Sequence, residues 1–149
     1  MCTRIFTVIS LLLIFYTSSL SAQNTTRDIT DKFFQLYTED PGKAIDYGFS
    51  TNKWVMEKNM AAVENVRLKL LNLINLIGDY RGYEMVNEKT IGESLKLQSY
   101  MMKYDRQPIR FTFIFYRPSD SWVVQNFQYD ANLTDELEEL GRIAPLPKE

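Results

Sequence analysis

The chain has 149 residues, 45% hydrophobic and 13% aromatic, with a formal net charge of −2, one cysteine and no histidine. That composition belongs to an ordinary globular chain of one domain and excludes disordered, collagen-like and low-complexity classes. A charge so close to zero leaves no basic footprint for nucleic acid.

Residues 1–22 read as an address rather than as fold. Arg4 near the α-amino group, the apolar run Ile5–Tyr16 and the small, polar run Thr17–Ala22 match the three regions of a secretory signal peptide. As a helix the apolar run spans only about 18 Å, short of the roughly 30 Å of a bilayer's hydrocarbon core. An uncleaved anchor is the alternative. Cleavage follows Ala22 or Ser21 and leaves an exported chain, periplasmic or extracellular, with no stable membrane anchor. Residues 23–149 then form a single domain without cysteine or histidine, so an apolar core and not disulfides must hold it. Export without cysteine fits a bacterial envelope protein.

A first helix opens at Asp28, with Asp31 three residues on and Phe33, Phe34, Leu36 and Tyr37 as its apolar side. Asp40-Pro41 sets a capping side chain before proline at the first helical position and starts a short second helix that Gly48 ends. A long third helix runs from Asn52 to about Ile77 and closes at Gly78. Met60, Val63, Val66, Leu70, Leu73 and Ile77 fall on one stripe of it, which Leu68, Leu71 and Leu76 broaden. That width predicts burial on two sides, with contact to a partner as the alternative.

Four segments of strand texture follow: Tyr80–Lys89, Ser94–Tyr104, Ile109–Arg117 and Trp122–Tyr129. Gly92, Asp105–Pro108 and Pro118–Asp120 separate them, and such short connections predict an antiparallel meander. In the third segment Ile109, Phe111, Phe113 and Phe115 share one face, and Arg110, Thr112, Ile114 and Tyr116 the other. A short helix, Asp135–Leu140, precedes a loose tail at 145–149. The expected architecture is α+β: N-terminal helices packed on a curved, four-stranded antiparallel meander, with its core at about 28–130 and residues 131–149 as the short helix and tail.

This element order, the long helix ending at Gly78-Asp79 and the closing segment Ser121–Phe127, which begins with Trp122 after a turn, resemble the nuclear transport factor 2-like superfamily, also described as cystatin-like. The resemblance implies a cone-shaped sheet with the long helix packed inside it, and a homodimer through the sheet. The strand usual between the second and third helices is not evident. No catalytic residue is carried over, because no motif of the relatives matches this chain residue by residue.

Without histidine or cysteine the exported chain has no Ser-His-Asp or Cys-His nucleophile system, and a zinc site lacks its usual ligands. Glycines scattered singly make no phosphate loop. No metal and no cofactor are expected. Carboxylates remain as acid–base groups: Glu84, Glu88 and Asp105, beside Tyr83, Tyr100 and Tyr104. Some relatives, such as the ketosteroid isomerases, use an Asp with a Tyr in the cone, which implies a carboxylate–tyrosine isomerase or lyase as one reading. It requires a carboxyl group inside the cone with a raised pKa. Placement on the solvent face of an edge strand and in a turn is the plainer alternative.

The aromatic residues Tyr83, Tyr100, Tyr104, Phe111, Phe113, Phe115, Trp122 and Phe127 predict either core packing or a concave wall for an apolar small molecule. Arg106 and Arg110 are candidates for an anion clamp, against an ordinary hairpin turn. The expected function is a non-catalytic, exported binding domain, with a small apolar ligand in the cone or a protein partner on the sheet's outer face. The enzyme is the alternative.

Overall fold

The computed structural model describes residues 25–143; the predicted signal peptide and the predicted tail lie outside them. The elements are α1 (Thr26–Glu39), α2 (Pro41–Ser50), α3 (Lys53–Lys58), α4 (Met60–Ile77), β1 (Tyr80–Ile91), β2 (Leu95–Tyr104), β3 (Ile109–Tyr116), β4 (Val123–Asp130) and α5 (Leu133–Ile143). Helices thus precede a curved, open antiparallel sheet in the order β1-β2-β3-β4, and the fold is the expected α+β meander.

Local chemistry sets the helix starts. The Thr25 hydroxyl accepts from the Asp28 N–H at 3.1 Å, and the Asp28 carboxylate accepts the Thr25 N–H at 2.9 Å. Asp28 therefore closes a capping box from the third helical position, and α1 begins before the predicted start. At α2 the prediction stands: Asp40 Oδ1 accepts from the Gly42 and Lys43 N–H groups, and Pro41 follows the cap. Gly48 does not end α2. It is buried where a Cβ would sit 3.4 Å from the Phe33 ring, so its role is close approach between α1 and α2. The single helix predicted from Asn52 is two, α3 and α4, broken at Asn59.

The larger correction concerns which helix the sheet holds. Ile29, Phe33, Phe34 and Tyr37 of α1 are all buried, and Phe33 meets Phe113 and Phe127 at ring-centroid distances of 4.9 and 5.9 Å. Meanwhile α4 packs on α2 and α3 and buries only Val63, Leu70 and Ile77. Leu68 and Leu76 stay 50% and 68% exposed, so the two-sided burial predicted for the long helix is not formed. Aromatic side chains each bury roughly 150–250 Å². Phe33, Phe34 and Tyr37 of α1 bury that surface against the rings of the concave face, meeting Phe111, Phe113, Tyr100 and Phe127.

Tyr100, Met102 and Tyr104 of β2, Ile109 to Phe115 in alternation along β3, and Val124 and Phe127 of β4 form the buried inner face. Thr51 and Asn52 clip the α2–α3 junction to β4 through the Val124 N–H at 2.9 Å and the Val124 carbonyl at 3.2 Å. At the α4–β1 junction Gly78 takes φ of 89°, where an added Cβ would meet Asp105 at 2.9 Å.

One irregularity in β1 decides the site. The register with β2 shifts between Met85 and Asn87, leaving Glu84 opposite Met101 but Glu88 opposite Gln98. An unbroken strand would put residues four apart on the same face. The bulge sends Glu84 outward and Glu88 inward. Among the described residues no helix is long and apolar enough to cross a membrane.

Candidate functional site

The interface between α1 and the sheet is closed along most of its length. Toward the C-terminus of α1 the hydroxyls of Tyr37 and Tyr104 share a hydrogen bond, and Tyr80 packs edge-on to Tyr37 with ring centroids 5.2 Å apart. Burial pushes the Tyr104 phenol up to about 12 and raises Tyr37 and Tyr80 as well, so all three are neutral at physiological pH. Midway, Phe33, Phe113 and Phe127 interlock, and the gap left beside Gly48 has no room for a water molecule. The interior offered by the sequence as a ligand wall is filled by α1.

Toward the N-terminus of α1 the side chains turn polar and the interface opens. A cleft of about 640 Å³ lies between the first turns of α1 and the inner face of β1 and β2. That is a usual volume for a small-molecule site, roughly 300–1,000 Å³. Thr26, Thr30, Gln98 and Tyr100 make a buried floor, Tyr83, Met85 and Glu88 a wall, and Arg27, Asp31 and Lys96 a charged rim.

Hydrogen bonds join floor and wall. The Tyr100 hydroxyl donates to Gln98 Oε1 at 3.0 Å; Gln98 Nε2 donates to Glu88 Oε2 at 2.6 Å and to Thr26 Oγ1 at 3.3 Å. Lys96 Nζ donates to Glu88 Oε1 at 3.3 Å. Gln98 is only 2% exposed, and three bonds satisfy an amide that would otherwise be costly to bury. The bond from Gln98, aided by Lys96 and opposed by burial, holds the Glu88 carboxyl below the usual range. Burial raises the Tyr100 phenol. The Tyr83 ring lies flat on Phe34, centroids 3.8 Å apart and planes at 19°, and the residue remains 39% exposed.

Of the eight aromatic residues singled out above, the cleft takes Tyr83 and Tyr100. Tyr104 lies at the closed end, Phe111, Phe113, Phe115 and Phe127 are buried core, and Trp122 packs half-buried against that core. Lys96 and Arg117 stand over the Trp122 ring at 5.9 and 5.1 Å.

Arg106 and Arg110 form no clamp. Arg106 folds with its turn onto the end of α4, where its N–H donates to the Ile77 carbonyl and its guanidinium reaches the Leu76 carbonyl at 3.5 Å. Arg110 follows the two-residue period to the outer face and is fully engaged by Asp130 at 3.0 and 3.1 Å and by Glu136 at 2.8 Å. Among the carboxylates, Glu84 pairs with Lys103 at 2.8 Å on the outer face. Asp105 accepts from Arg81 at 2.7 Å and from the Asp79 N–H at 2.9 Å, and these bonds hold it ionised below the usual range. Only Glu88 of the three enters the cleft.

Sequence reasoning missed Thr26, Thr30, Phe34, Lys96 and Gln98. The readable sign was Gln98, a polar residue at the inward parity of Tyr100, Met102 and Tyr104. The chain matches no protein-family model, no curated protein and no solved structure.

Proposed function

We propose that this chain is an exported, non-catalytic binding module that takes a small molecule into the cleft between α1 and the β1–β2 part of the sheet. The observation that carries this reading is the floor: an amide, a phenol and two threonine hydroxyls, buried and hydrogen-bonded at the base of an open 640 Å³ space. Buried polar groups cost free energy unless paired, and an apolar floor like the rest of the interface would stabilise the fold more. Polar groups arranged in this way under an exposed aromatic wall favour recognition over packing.

Two features favour binding over carboxylate–tyrosine chemistry. Glu88 is held ionised, whereas a general acid needs its pKa raised. Gln98 also stands between Glu88 and Tyr100, bonded to both, so the two groups do not converge on one reacting atom. The order of helices and then a curved meander supports kinship with the nuclear transport factor 2-like, cystatin-like superfamily, with the first helix in place of the long one on the inner face.

Titration of the isotope-labelled chain with a library of small organic fragments, followed by amide NMR shifts, tests the reading. Shifts are expected at Thr26, Thr30, Gln98 and Tyr100, with Tyr104 and Phe111 unmoved. Shifts confined to Thr112 and Ile114 on the outer face would overturn it in favour of an outer-face contact.

A further inference from the structure

We propose that the cleft takes a neutral, hydroxyl-rich ring, a sugar, stacked on Tyr83; this assignment rests on the cleft being the binding site. The charge balance is the first ground. Each charged side chain lining the cleft is paired within it, Arg27 with Asp31 at 3.7 Å and Lys96 with Glu88 at 3.3 Å. Two cations and two carboxylates leave the cleft without net charge, so its field favours neither an anionic nor a cationic ligand. At the N-terminus of α1 the Asp28 carboxylate, which accepts the Thr25 N–H at 2.9 Å, already places a negative charge where an anion would otherwise be favoured.

Unused hydrogen-bonding capacity is the second ground. Lys96 spends one donor on Glu88, and each Glu88 oxygen accepts one bond, so both side chains keep capacity facing the cleft. Donors and acceptors side by side suit a hydroxyl group, which is both at once. An aliphatic ligand would instead strip water from Lys96 and Glu88 and replace none of its hydrogen bonds.

Tyr83 is the third. Phe34 covers one face of its ring and fixes its tilt, while the residue keeps 39% of its surface exposed at the cleft. A preset aromatic plane beside paired donors and acceptors matches a ring with one apolar C–H face and a hydroxyl edge.

Saturation-transfer NMR and calorimetry on the exported chain test this with glucose, N-acetylglucosamine, maltose and cellobiose. Phenol, phenyl phosphate and benzyltrimethylammonium serve as neutral, anionic and cationic aromatic probes. At least one saccharide is expected to bind, the two ionic probes are not, and Tyr83→Ala should weaken saccharide binding by about tenfold. Glu88→Gln frees Lys96 and should admit phenyl phosphate, which gives a second readout should the alanine variant fold poorly. Saccharide binding indifferent to both substitutions would overturn the proposal. Phenol bound at Tyr83 with every saccharide silent would overturn the sugar assignment and leave the binding module standing. Silence from all probes at the cleft would overturn both.

Discussion

Toward its C-terminus α1 meets the sheet through Phe33, Tyr37, Phe111 and Tyr104, and toward its N-terminus through Thr26, Thr30, Gln98 and Tyr100. Helix and sheet are the same at both ends; the side chains differ. At the closed end rings interlock and the one buried hydroxyl pair satisfies itself. At the open end hydroxyls and an amide are bonded to one another beneath solvent. Under the proposed function, stability and recognition divide along a single helix. Substitutions at the closed end should act mainly on stability, and those at the open end mainly on affinity.

The largest effect is expected from Phe113→Ala. This fully buried ring touches Phe33, Tyr100, Phe115 and Phe127, so urea denaturation should show a loss of about 3–5 kcal/mol. A loss below about 1 kcal/mol would break the contrast, because the closed end would then not be packed. Tyr37→Phe comes next: it strands the Tyr104 hydroxyl and should cost about 1–3 kcal/mol. The double variant Tyr37→Phe with Tyr104→Phe should recover part of that loss, which a thermodynamic cycle reads directly.

Two groups, one at each end, should answer pH in opposite directions. At the closed end the Tyr104 phenol ionises at about 12 when folded and at the ordinary 10.0 when unfolded. Its contribution is complete below pH 10 and is lost as pH rises toward 12. At the open end Glu88 ionises below the ordinary 4.5 when folded. Its contribution is present above that ordinary value and is lost as pH falls through the folded one. Denaturation across pH should show both limbs, and Glu88→Gln should make the acidic one shallower, with Asp28, Asp105 and Glu136 still contributing to it, and leave the alkaline one unchanged. The smallest effect belongs to Arg110→Ala. On the outer face, where the Arg110 guanidinium is 20% exposed and bonded to both carboxylates, its loss should cost about 1–2 kcal/mol, speed amide exchange in α5 and leave the cleft unchanged.

Much of the frame was legible in short-range patterns. The alternation of Ile109, Phe111, Phe113 and Phe115 marks the inner face of β3, and Asp40-Pro41 marks the start of α2. The contest for the concave face was not legible, because α1 and α4 each carry an apolar stripe and only their fit to the sheet separates them. The site was legible as residue types and not as a place. Tyr83, Tyr100 and Glu88 were all candidates, but Glu84 and Glu88 read alike until the bulge at Met85–Asn87 turns one outward and the other inward. That bulge follows from pairing with β2, and nothing in the ten residues around it announces it.

Crystals of residues 23–149 soaked with a small-fragment library give the most direct test of the division between a closed and an open end. The account predicts fragment density on the Tyr83 ring, within hydrogen-bond reach of Glu88 or Lys96, and none among Phe33, Phe113 and Phe127. Density confined to the 180 Å³ groove between α4 and β4, with the cleft at α1 holding only water, would contradict it.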